Sequence, residues 1–98
     1  MNQNVQYSTE NGSLTCLFSG KLDTVFATGI DREIQTRITE AGLPVVFDLA
    51  GVDYIASAFL RICLRTAKQA QGFSMIHVAP PVKKVFIIAG FDKAMNIS

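Results

Sequence analysis

A chain of 98 residues, nine basic against eight acidic for a net charge of +1, with 49% hydrophobic residues, has the makings of one globular domain with a real core. That balance excludes a disordered or fibrous chain, and the charges, spread along the sequence, form neither a basic nucleic-acid stripe nor an acidic tail. The longest apolar run, Val85–Phe91, is far short of the roughly 20 residues that span a bilayer.

The opening stretch MNQNVQYSTENGS lacks the basic and apolar parts of a secretory signal, so a cytoplasmic location without membrane insertion is expected. Cys16 and Cys63 each sit inside an apolar segment and are expected as reduced, buried thiols. There is no CxxC, and His77 is the only histidine, too few ligands for a metal site. No cofactor is expected.

In chain order, Val5–Thr9 and Ser13–Ser19 predict two strands joined by the hairpin signal Asn11-Gly12. In the second strand Leu14, Cys16 and Phe18 point one way and Thr15, Leu17 and Ser19 the other, with Gly20 expected to end it. Leu22-Asp23-Thr24 then opens a helix capped by Asp23 or Thr24. Ala27, Ile30, Ile34, Ile38 and Ala41 recur every three or four residues as its buried stripe. Asp31, Arg32, Gln35, Arg37 and Glu40 make the wet face, and Gly42 with Pro44 stops the helix.

Val45–Leu49 is a β-branched and aromatic run typical of a buried strand. Ala50-Gly51 predicts a turn and Val52–Ile55 a second extended piece. Ser57 stands at the start of the next helix, where its hydroxyl would accept from an unpaired backbone N–H as an N-cap. That helix reaches about Ala70, with Leu60, Cys63, Leu64 and Ala67 inward and Arg61, Arg65, Lys68 and Gln69 in water. Phe59 and Ile62 flank this stripe; they either widen the buried face or form an exposed apolar patch beside a modifiable hydroxyl. Gly72 precedes a strand over Phe73–Val78, Pro80-Pro81 opens a third helix with Val82, Val85, Phe86 and Ala89 inward, and residues 91–98 add a short edge strand or stay irregular. The order β-β-α-β-α-β-α implies an α/β fold: a small mixed sheet of four to five strands, parallel apart from the first hairpin, against three amphipathic helices.

Chemistry is sparse. Asp48, Asp53 and His77 are the candidates for a small enzyme, although an Asp at the end of a buried strand more often ties down the following loop. The glycines form no phosphate-binding pattern, and Lys83-Lys84 reads as a solvated helix face.

The element order and several local motifs resemble a STAS domain of the bacterial anti-sigma factor antagonist type. Gly20-Lys21-Leu22-Asp23 is similar to the family's G-x-L-D before its first helix. Val45–Leu49 with Val52-Asp53-Tyr54-Ile55 is similar to the strand leading into its D-S-S-G-L helix start, and Pro80–Phe86 with Gly90-Phe91 to its third helix and closing glycine. The resemblance covers nearly the whole chain. It implies a binding module without enzymatic activity, whose partner is an anti-sigma factor or GHKL-type serine kinase. It also implies phosphorylation at the serine matching Ser57, and a partner surface of Asp23, Tyr54, Ala56, Ser57, Ala58, Phe59 and Arg61. Where the family has D-S-S-G, this chain has Ala56-Ser57-Ala58-Phe59. An unswitched STAS module is therefore a second expectation, a subunit of an ABC lipid-transport complex or a signalling scaffold, with Phe59 as partner anchor.

Overall fold

At Asn11-Gly12 both φ angles are positive, 52° and 77°, the combination that lets a two-residue turn follow strand twist. The turn joins β1 (Val5–Glu10) to β2 (Ser13–Leu22), antiparallel, with Val5 opposite Phe18 and Glu10 opposite Ser13. The computed structural model describes residues 4–93 and 95–98. There follow α1 (Thr24–Ala41), β3 (Val45–Ile55), α2 (Ser57–Gln69), β4 (Phe73–Ile76), α3 (Pro80–Ile88), a 3₁₀ turn (Phe91–Lys93) and β5 (Asn96–Ile97). The expectations made for the N-terminus and for segment 91–98 include positions 1–3 and 94, which lie outside the described residues.

The sheet order is β1-β2-β3-β4-β5, and every pairing after the hairpin is parallel. Each β–α–β step advances one strand in the same direction. Right-handed crossovers therefore lay all three helices on one face. That face carries Leu14, Cys16, Phe18, Val45, Phe47, Leu49 and Met75, all buried. Among the described residues no helix covers the opposite face: Gln6 and Ser8 of β1 and Leu17 of β2 are exposed, and Val46, Asp48 and Ile76 are half-buried. Phe18 is the centre of the core. Its ring meets Phe47 at 4.9 Å, Phe59 at 5.2 Å and Phe26 at 6.3 Å, all edge to face, the geometry favoured by the ring quadrupole.

α1 is as the sequence predicts. Asp23 caps it, with Oδ1 accepting from the Phe26 N–H at 2.8 Å. Ala27, Ile30, Ile34 and Ile38 are buried, and Gly42 closes it in the left-handed conformation. Its outer side clamps the edge strand: the Tyr7 hydroxyl donates to Glu33 at 2.8 Å, and the Arg37 guanidinium lies 4.3 Å over the Tyr7 ring. Gln35 departs from the wet face; its amide is shielded and has no hydrogen-bond partner among the described residues.

Four other expectations are corrected. β2 runs through Gly20 to Leu22. Ala50-Gly51 is not a turn, because β3 carries extra residues against β2, with register shifts after Leu17 and after Gly20. Such bulges absorb a turn-like dipeptide within a strand. A Cβ at Gly51 would sit 3.2 Å from that of Ser19, so glycine lets the two backbones close up here. β4 ends at Ile76, since His77 takes a positive φ of 56°. In α3 only Val82 and Phe86 are buried; Val85 is 38% exposed and Ala89 lies at the surface.

Candidate functional site

β2 and β3 run parallel and finish together, with Leu22 opposite Ile55. A helix begins two residues beyond each, α1 at Thr24 and α2 at Ser57. The two helix starts thus lie side by side at the carboxyl ends of adjacent parallel strands, the edge where open α/β sheets carry their sites. The Ala56 N–H donates to the Leu22 carbonyl at 2.9 Å and stitches the two together.

That bond corrects the role assigned to Ser57. With its N–H held by β2, Ala56 is fixed in an extended conformation (φ −95°, ψ 163°) and is itself the N-cap. No side chain caps α2; the Ala56 carbonyl receives the Phe59 N–H at 2.9 Å and the Leu60 N–H at 3.3 Å. Ser57 is the first helical residue and exposed, and no hydrogen bond engages its hydroxyl among the described residues. The first turn of α2 holds no acidic side chain, so its N–H donors and the positive end of the helix dipole are unopposed.

Phe59 is corrected as a partner anchor. Its ring is fully buried against Phe18 and, at 5.9 Å, Phe47, so no surface of it meets a partner in this fold. Ile62 is buried with it. The inward stripe of α2 is Phe59, Ile62, Cys63 and Thr66 rather than Leu60, Cys63, Leu64 and Ala67, and Leu64 is 41% exposed. One residue of rotation, about 100°, separates the two. The aromatic ring buries more area than a leucine, and Thr66 is tolerated inside because its hydroxyl donates to the Ile62 carbonyl at 2.8 Å.

The remaining expected residues do share this end of the molecule. Asp23 and Arg61 are exposed, Tyr54 is 50% exposed, Ala58 is half-buried and Ala56 is buried. Between the helices runs a shallow groove of about 150 Å³, lined by Ala27, Thr28 and Asp31 of α1 and Ala58, Arg61, Ile62 and Arg65 of α2. Arg65 Nη1 closes its far end by reaching both Asp31 carboxylate oxygens at 2.8 and 2.9 Å. Val25, 82% exposed on the first turn of α1, escaped the sequence analysis. Its signal was available: an apolar residue two positions before Ala27 points away from the buried stripe.

Asp23 serves the fold as well as the surface. Asp23→Ala is expected to lower the unfolding free energy by about 1 kcal/mol through loss of the cap, measured by urea titration. Asp23→Asn keeps an accepting oxygen and is expected to stay within a few tenths of wild type; an equal loss in both variants contradicts the capping role.

Of the small-enzyme candidates, two meet. His77 Nδ1 lies 3.0 Å from Asp48 Oδ1, which also accepts the Ala50 N–H at 3.0 Å. Asp48 thereby ties down the bulge, the plainer of its two expected roles. No hydrogen bond or ion pair joins Asp53 to either among the described residues. Cys16 and Cys63 are buried and unpaired with each other, and burial pushes the Cys16 thiol up to about 12 and the Cys63 thiol well above its ordinary range. Among the described residues no cluster of His, Cys, Asp and Glu is placed to hold a metal, and no helix is long and apolar enough to cross a membrane.

No protein-family model matches the chain. Among curated sequences it is similar to BtrV of Bordetella bronchiseptica, which carries the name of an anti-sigma factor antagonist, with 34% identity over 85 residues, 83% of this chain and 73% of BtrV. Among solved structures it is similar to an anti-sigma-factor antagonist (STAS) domain protein of Planctomyces limnophilus, with a TM-score of 0.87 at 19% identity over 95% of this chain and 87% of that one. The Bacillus cell fate determinant SpoIIAA in its phosphorylated form aligns with a TM-score of 0.70 at 18% identity over 96% and 90% of the two chains. The solved structures show that the fold is that of STAS domains, and the similarity to BtrV shows that the chain belongs to the anti-sigma factor antagonist family.

Proposed function

We propose that this chain is a cytoplasmic binding module that docks an anti-sigma factor of the GHKL serine-kinase type through the paired helix starts, and that phosphorylation of Ser57 releases the partner. The observation that carries the proposal is the exposed, unbonded hydroxyl of Ser57, beside the exposed side chains of Val25, Tyr54 and Arg61. A phosphate there adds roughly two negative charges and three acceptor oxygens. The helix N-terminus tolerates that charge, so the fold persists and the cost falls on the interface, where it must be desolvated. In the transfer the Ser57 Oγ attacks the γ-phosphoryl group of ATP, its proton leaves to a base on the kinase, and ADP departs.

The test is phosphate transfer from ATP by the kinase of the same genome, read by mass spectrometry. Incorporation at Ser57, abolished in Ser57→Ala, is the expected result. Ser57→Ala should melt within about 2 °C of wild type, because the hydroxyl supports no bond in the fold. Phosphate found elsewhere, or none with the purified kinase, overturns the switch. A second proposal, an unswitched docking module, is favoured by Ala56 and Ala58 standing where the family has Asp and Ser. It requires Ser57→Glu to bind the partner as tightly as wild type.

A further inference from the structure

The outward side of α2 carries charge of one sign. Ser57, Arg61, Leu64, Arg65 and Lys68 stand at positions i, i+4, i+7, i+8 and i+11, which places them on one helical face, and all are exposed. No acidic residue occurs in α2. From Ser57 onward the chain holds six of its nine basic residues and one of its eight acidic ones. The chain from α2 onward is therefore basic although the net charge of the whole is only +1.

Not every cation on this face is available. Arg65 is held by Asp31 of the neighbouring helix. Arg61 and Lys68 form no ion pair or hydrogen bond among the described residues. They stand about 10 Å apart along the helix axis, with Leu64, 41% exposed, between them.

We infer that this stripe receives an acidic helical segment of the partner, with two carboxylates about two turns apart and an apolar residue between them that covers Leu64. The inference takes its location from the docking role proposed above and adds the partner's chemistry. Charge complementarity selects that occupant. A second copy laid α2 against α2 would oppose cation to cation, and two uncommitted cations neutralise too few phosphates to hold a nucleic acid at physiological salt. The stripe also explains how a phosphate acts at a distance. Phosphoserine at position 57 is one helical turn from Arg61, the spacing of an i,i+4 ion pair. It would draw off one of the two cations that the partner needs.

Two probes test this on the full chain: the purified anti-sigma kinase of the same genome, and a synthetic 15-residue helical peptide with glutamates seven positions apart around a leucine. The kinase is expected to associate about tenfold more slowly at 300 mM than at 50 mM salt. The double variant Arg61→Glu, Lys68→Glu is expected to slow association about tenfold further with little change in dissociation. The glutamate peptide should shift the NMR amide signals of α2, and its lysine counterpart should not. Thermal melts matching wild type confirm that the variant is folded.

A kinase that binds wild type and double variant alike and without salt dependence overturns the inference while leaving docking intact. So does a glutamate peptide that leaves α2 unperturbed. Selective binding of duplex DNA or phosphatidylglycerol vesicles by this face, or self-association through it, also overturns it. A kinase that ignores the wild-type chain while the glutamate peptide still marks α2 removes the docking role and supports the acidic-segment chemistry.

Discussion

Phe59→Ala is expected to lower the unfolding free energy by about 4 kcal/mol and the melting temperature by about 20 °C. The ring has no exposed surface and is wedged between Phe18 and Phe47. Phe18 in turn meets Phe26, and Phe47 meets Phe73 at 4.8 Å. Truncation loses the transfer energy of the ring, leaves a cavity where α2 meets β2 and β3, and removes two aromatic contacts worth about 0.5–1.5 kcal/mol each. Against the 5–15 kcal/mol that stabilises an ordinary domain, the loss takes much of the total. Phe59→Leu should recover more than half of it, and Leu64→Ala, on the exposed side of the same helix, should stay within about 0.5 kcal/mol of wild type. Circular dichroism melts and urea titrations measure all three. A Phe59→Ala protein that melts within a few degrees of wild type would contradict the packing. Loss of partner binding in that variant reports unfolding, not a lost contact.

Alkali is expected to destabilise the chain progressively above the ordinary thiol value of 9.0. Burial raises the Cys16 thiol from its ordinary 9.0 to about 12, slightly opposed by Arg37, and raises the Cys63 thiol well above its ordinary value. Tyr7 is shifted the same way by burial and then by its bond to Glu33. For Cys16, between pH 9 and 12 the folded chain keeps a proton that the unfolded chain has released. The unfolded state therefore binds fewer protons, and stability falls as pH rises. It is whole below pH 9, and each thiol removes up to about 1.4 kcal/mol per pH unit above that. Urea midpoints at pH 8, 9, 10 and 11 should decline progressively, and Cys16→Ala should flatten the slope although it starts from a lower value. A midpoint constant to pH 11 would mean that solvent reaches the thiols in the folded state.

Legibility in the sequence differed from element to element for physical reasons. α1 was readable because five apolar positions repeat at helical spacing between an aspartate cap and a glycine stop, so local propensity and tertiary burial agree. α2 was harder. Apolar residues occupy both Phe59-Ile62-Cys63 and Leu60-Cys63-Leu64, a threonine completes the true buried stripe, and periodicity alone does not choose between faces one residue apart. The hydroxyl expected to cap α2 is not the cap, because a long-range bond from Ala56 to Leu22 sets the helix start one residue earlier.

The sequence by itself determined the order of elements, the hairpin at Asn11-Gly12, the frame of α1 and the burial of both cysteines, since each depends on neighbours within a few turns of chain or on composition. Tertiary structure alone decided the rest. Parallel pairing of β2 with β3 set the two helix starts side by side, bulges turned Ala50-Gly51 into strand, and the aromatic cluster around Phe18 claimed Phe59 for the core. By rotating α2 to seat that ring, the fold turned Leu64 outward to join Ser57 and the already solvent-facing Arg61 and Lys68. The physical reason is that a surface belongs to whichever side chains the core does not take, and packing between distant segments makes that choice.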